Sequence, residues 1–195
     1  MLGLLRPTDP SWVASVEEDL PALLADHAHC ELKAAQSALS LAGRWAGEHP
    51  ELVEPLVELA KEETDHFRDV QAHAAARGIR VGPPEPDAYV QSLVDAAKPE
   101  HPEVPILLDR LLVAALIEAR SCERFKLLSE GLRDEELRSF YAELMRSEAR
   151  HHRLFTDLAE RIFGAERTRA RLSVLAEREA VIVGCLSSTR AAVHG

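Results

Sequence analysis

Two segments of the chain set a glutamate three residues before a histidine: Glu63 and His66 in KEETDHF, and Glu148 and His151 in SEARHH. On an α-helix that spacing puts the carboxylate and the imidazole on one face, a turn apart. Together they form a donor pair suited to iron or manganese. The spacing alone decides little. With 23 Glu and 9 His in 195 residues, roughly one such pair arises by chance, as any short motif does. The case for a site rests on where the two copies sit.

The elements that would carry them are punctuated by Pro and Gly. Asp9-Pro10 opens a short helix to about Glu18, and Asp19-Leu20-Pro21 starts a long one to about Ala46. His49-Pro50 breaks it. A second long helix runs from about Pro50 to Arg77, with Gly78 as its C-cap and Pro55 in its first turns. Residues 78–103 form a crossover in which DAYVQSLVDAA is a short helix and KPEHPEVP a loop. A third long helix spans about Pro105 to Glu130, with Gly131 after it, and Asp134 caps a fourth to about Phe163. A fifth segment covers about 166–183, and the tail SSTRAAVHG reads as loose. Two helix pairs joined by one long connection predict an all-α four-helix bundle with extra helices. The whole chain, 1–195, reads as one domain with an accessory C-terminal helix.

Steps of three and four now place the candidate ligands. The second long helix gives Leu52, Leu56, Leu59, Glu63, His66, Val70 and His73; the fourth gives Leu137, Tyr141, Leu144, Glu148, His151, Phe155 and Leu158. The first gives Leu20, Leu24, His27, Glu31, Ala34, Ala38 and Leu41, and the third gives Leu108, Leu111, Ala115, Glu118, Cys122 and Phe125. All four long helices therefore carry a Glu on the face that should be dry. A buried ionised Glu costs several kcal/mol unless it is paired or bound to metal. Four such groups repel one another, and two divalent metals remove the repulsion. The alternative is a bundle of buried polar pairs with no metal.

Depth along the helices bears on the third ligand. Glu118 lies 13 residues before Gly131 and Glu148 lies 14 after Asp134, so a hairpin sets them level. Glu123 is the rival, because Cys122-Glu123 echoes Cys30-Glu31. It stands roughly 9 Å nearer the turn at 1.5 Å per residue, which favours Glu118. One Glu from each of two helices and Glu-x-x-His from the other two is the ligand pattern of ferritin-like di-iron proteins. Here it reads Glu31, Glu63, His66, Glu118, Glu148 and His151. His27 and His73 share the core stripes and are candidates to hydrogen-bond a ligand, or ordinary partly buried histidines. His152 is one residue off its stripe and is expected to point outward. Trp12 and Trp45 read as packing residues.

Composition narrows the partners. The net charge of -10 argues against broad nucleic-acid binding, though not against a local basic patch. Arg146, Arg150, Arg153, Arg161, Arg167, Arg169, Arg171 and Arg178 gather in the last third, as phosphate contacts or as solvated helix faces. Cys30, Cys122 and Cys185 are far apart and form no Cys-x-x-Cys, which excludes a zinc ribbon or thioredoxin-like centre. They read as small buried residues of a reducing compartment. The start MLGLLRPTDPS is too quickly polar for a signal peptide, and no apolar run approaches the roughly 20 residues that span a bilayer. A cytoplasmic protein without a membrane partner is expected.

Four segments together, DHAHCELKAA (26–35), EETDHF (62–67), IEARSCERF (117–125) and SEARHH (147–152), resemble the tRNA 2-methylthio-N6-isopentenyladenosine hydroxylase (MiaE) family, over about residues 5–165. The resemblance implies a non-haem di-iron monooxygenase that hydroxylates the isopentenyl group of a modified adenosine at tRNA position 37. The six ligands above match the family's motif position by position. The implied partners are modified tRNA, dioxygen and an external electron donor or reductase, since the chain carries no flavin or nicotinamide fingerprint. A ferritin-like fold also hosts iron-oxidising and peroxide-scavenging proteins of the ferritin or rubrerythrin kind, which stand as the alternative.

Overall fold

The structure, a computed structural model, describes residues 2–98, 104–186 and 192–193. Most of the KPEHPEVP loop and of the SSTRAAVHG tail lies outside the described residues. Every regular element among the described residues is helical: α1 (Trp12–Glu18), α2 (Leu20–Trp45), α3 (Val53–Ala76), α4 (Ala88–Ala96), α5 (Ile106–Gly131), α6 (Glu135–Phe163) and α7 (Ala165–Cys185). Contacts divide the chain into two compact units, one of Val16–Pro86 with Ala191–Val193, the other of Met1–Ser15 with Asp87–Arg190 and His194–Gly195.

The first unit is the α2/α3 hairpin. Asp19 caps α2 by accepting from the Ala22 amide at 3.1 Å, and Pro21 sits in the first turn, where no donor is needed. The sequence places the start of the next helix at Pro50. The chain instead makes a short 3-10 turn, Pro50–Leu52, and α3 begins at Val53. Pro55 then falls within the first turn of α3, where its missing N–H costs no intrahelical bond. Gly78 ends the element with φ +69, and the Ile79 amide returns to the Ala74 carbonyl at 2.9 Å. The chain beyond runs back along α2, held by His29 Nε2 to the Gly82 carbonyl at 2.8 Å.

The second unit is built on α5 and α6. Asp87 caps α4 and Asp134 caps α6, each accepting from the amide three residues on. Steps forward on α5 meet steps backward on α6: His152 Nδ1 donates to Ala115 O at 2.8 Å, and Cys122 Sγ to Met145 O at 3.2 Å. The pair is antiparallel. Gly131 is the last residue of α5 rather than the residue after it. A Cβ there would meet Val13 Cγ1 at 3.0 Å, so Gly131 lets α1 approach closely. Buried residues lie on nearly every side of α5, which marks it as the unit's central helix.

Polar groups tie the outer segments to α5. Arg171 of α7 grips Asp109 through two bonds, Nε to Oδ1 at 2.7 Å and Nη2 to Oδ2 at 3.1 Å, and also reaches Ala97 O at 3.1 Å. Arg178 donates to Ala96 O at the end of α4. Two of the arginines that read as phosphate contacts or solvated helix faces are thus structural clamps. Deeper still, Arg120 is fully buried and donates to Glu179 Oε1 from Nε at 3.0 Å and from Nη2 at 2.7 Å. Tyr89 O–H reaches the same oxygen at 3.2 Å. The Arg124 guanidinium lies 4.9 Å over the Trp12 ring. Cys30 and Cys122 are buried as expected, but Cys185 is exposed, because it ends α7.

Candidate metal centre

On α3 the apolar stripe Leu56, Leu59, Val70 and Ala74 is interrupted by Glu63, which is 1% exposed, and by the half-buried His66. On α2 the stripe Leu24, Ala28, Ala38 and Leu41 is interrupted by His27 and Glu31. Hairpin packing brings these groups together. His66 Nδ1 stands 3.2 Å from Glu63 Oε2 and 3.7 Å from Glu31 Oε2. His27 Nε2 stands 2.6 Å from Glu31 Oε1. Glu31, Glu63 and His66 each offer one donor atom within 4.8 Å of the others'.

These contacts set the charges. Burial favours the neutral form of Glu31, but the hydrogen bond and charge of His27 outweigh it and hold the carboxyl well below its usual range. Burial likewise opposes a charge on His66, and hydrogen bonds to Glu31 and Glu63 outweigh it, pushing His66 up to about 10. The two carboxylates packed beside His66 make this pocket attractive to cations.

The α5/α6 unit presents a matching set. His151 Nδ1 lies 3.9 Å from Glu118 Oε2 and 3.9 Å from Glu148 Oε2. All three groups are buried, at 3%, 5% and 2% exposure for His151, Glu118 and Glu148. Each again offers one donor atom within 4.8 Å of the others'. Glu123, the rival of Glu118, faces elsewhere on α5: it accepts from the Thr8 amide at 2.9 Å, from Thr8 Oγ1 at 2.8 Å and from Arg120. Burial pushes the nearby Cys122 thiol up to about 11.

Some sequence expectations change. His152 does not point outward; it turns to the Ala115 carbonyl, because that carbonyl lies within reach across the hairpin. His73 faces Arg77, with Nδ1 3.4 Å from Nη1. Sequence reasoning missed the Arg120–Glu179–Tyr89 group. The available signal was an arginine at position 120 among the apolar positions Leu116, Ala119 and Cys122, but nothing names a partner 59 residues away.

Oxygen and nitrogen donors, buried and partly anionic, suit a hard or borderline divalent ion such as iron or manganese. A ferritin-like all-α fold with buried carboxylate–histidine sets defines the class. The solved structure of Protein 43 with aldehyde deformylating oxygenase activity from Synechococcus matches with a TM-score of 0.88 at 39% identity, covering 98% of this chain and 95% of that one. The family model described as tRNA-(MS[2]IO[6]A)-hydroxylase (MiaE) matches residues 2–194, and the chain belongs to that family. It is similar to the tRNA 2-(methylsulfanyl)-N(6)-isopentenyladenosine(37) hydroxylase of Pseudomonas putida, 40% identical over 78% of this chain and 73% of the relative. The protein of the same name from Salmonella typhimurium is 32% identical over 91% and 82%.

Proposed function

We propose that this protein is a cytoplasmic di-iron monooxygenase that hydroxylates the isopentenyl group of 2-methylthio-N6-isopentenyladenosine at position 37 of tRNA. Glu31, Glu63, His66, Glu118, Glu148 and His151 are its metal ligands, and the chain works as one ferritin-like domain. The observation that carries the reading is the pair of buried Glu-x-x-His helices, each accompanied by a Glu from its hairpin partner, in a chain of this family.

The residues fit the role. Ordinary acid–base side chains cannot attack an unactivated C–H bond; a reduced di-iron centre supplies the dioxygen chemistry that can. What the chain contributes is ligation and dryness. The carboxylates offset the charge of the ions and the imidazoles add neutral donors. Leu59 and Val70 on α3, and Leu144 and Phe155 on α6, keep water from the ligand stripes. Electrons come from a separate reductase. Arginines that remain solvated, such as Arg153 at 81% side-chain exposure, are available to phosphates, which position RNA without selecting a base.

The test is reconstitution. Iron-loaded protein with dioxygen and an electron source should yield hydroxylated nucleoside from isopentenylated tRNA, read by mass spectrometry, and leave tRNA with unmodified adenosine at position 37 unchanged. No product from the modified tRNA overturns the substrate. The similarity to a structure named for aldehyde deformylating oxygenase activity favours a second reading, an oxygenase of aldehydes. The same preparation turning over an aliphatic aldehyde, but not tRNA, would select it.

A further inference from the structure

His27 has no role in the ligand set, yet its side chain is completely buried on α2, one turn before Glu31. Its Nε2 stands 2.6 Å from Glu31 Oε1. At this separation the two atoms share a hydrogen bond, the imidazole N–H donating and the carboxylate oxygen accepting. The other oxygen, Oε2, is the one turned toward His66, at 3.7 Å. The two oxygens of one carboxylate therefore have separate partners. The position four residues before Glu118 is Ala114, which has no side-chain donor.

We propose that His27 is a positioning residue for Glu31. Its Nε2–H holds Oε1, leaving Oε2 as the single oxygen that Glu31 turns toward a metal ion. The inference rests on the metal ligation proposed above and adds an asymmetry to it. The α2/α3 half holds its carboxylate by an imidazole one turn earlier, whereas the equivalent position on α5 is Ala114. A hydrogen-bond partner of this kind fixes ligand orientation, and its loss typically costs about 10–100-fold in metal affinity.

The experiment titrates metal-free full-length protein with Fe(II) and, separately, with Co(II), whose d–d spectrum reports ligand geometry. His27→Leu keeps bulk and removes the donor. It should weaken one of the two bound ions by about 10–100-fold and alter that ion's cobalt spectrum, leaving the other as in the wild type. His27→Gln keeps a donor within reach of position 31 and should bind within about threefold of the wild type. Wild-type affinity and spectrum in His27→Leu would overturn the proposal. Equal impairment in both variants would also overturn it, because packing rather than the hydrogen bond would then be responsible. Thermal melting of each metal-free variant checks the fold. If His27→Leu does not melt cooperatively, His27→Asn replaces it: its amide is one methylene too short to reach, and it should lose the ion that His27→Gln retains. A wild-type chain that takes up neither metal overturns the ligation reading itself.

Discussion

The two hairpins carry the same three donors and surround them differently. In the α2/α3 unit the histidine is drawn to within 3.2 Å of one carboxylate and 3.7 Å of the other, and a second imidazole, His27, holds Glu31. In the α5/α6 unit both His151–carboxylate distances are 3.9 Å. There the polar reinforcement lies elsewhere, in the Arg120–Glu179 pair and in Glu123 on Thr8. One unit orders its donors by local hydrogen bonds. The other orders the helix that carries them by pinning α5 to α7, α4 and the N-terminal segment. Equal donor chemistry thus does not make the two halves equivalent.

The largest effects test the donors themselves. On the proposed di-iron reading, Glu63→Ala should strip the α2/α3 half and His151→Ala the α5/α6 half, each lowering bound iron by about half or more, because a removed ligand leaves its neighbours uncompensated in a dry site. Hydroxylation should fall by more than about 100-fold in both, and in Glu118→Gln, since ligands matter more than the groups that support them. Iron analysis returning two ions in both alanine variants would dissolve the comparison.

Next comes the pinning of α5. Arg120→Met leaves Glu179, 0% exposed, with its charge uncompensated, and should destabilise the protein by about 3–5 kcal/mol in urea denaturation. Adding Glu179→Leu should recover most of that loss. A double variant no better than the single would mean that the ion pair does not account for the cost.

Glu123→Gln is expected to be milder. Thr8 and Arg120 lose a charged acceptor, which costs about 1–3 kcal/mol of stability, while iron stays at two per chain. Loss of an ion in this variant would exchange the roles of Glu118 and Glu123.

The smallest effect compares dryness. Cys30 adjoins Glu31 and is 9% exposed; Cys122 lies one turn from Glu118 and is 2% exposed, with its thiol pushed up to about 11 by burial. At pH 8 a thiol reagent should modify the exposed Cys185 first, Cys30 slowly, and Cys122 only on unfolding. Mass mapping of the labelled peptides gives the order. Early labelling of Cys122 would show that the α5/α6 half admits water more readily than the other.

Much of this molecule is legible in the order of its residues. Asp19, Asp87 and Asp134 act on amides three positions away, and Gly78 reverses the chain locally, so the helix limits follow from neighbouring chemistry. The repeat of three and four likewise places Glu31, Glu63, Glu118 and Glu148 among apolar neighbours, because a helix fixes which residues share a face. Contacts set by the approach of distant segments were not legible. Gly131 reads as a helix stop until Val13 arrives against it. Arg171 and Arg178 read as phosphate contacts or as solvated helix faces until Asp109 and the end of α4 come within reach. Hairpin depth already favours Glu118 over Glu123, but the partners that occupy Glu123 come from the path of the N-terminal segment, which brings Thr8 to it. Sequence fixes the face a side chain occupies because that depends on bonds within one helix. Its partner depends on which other chain segment fills the space in front of it, and that is decided by tertiary packing.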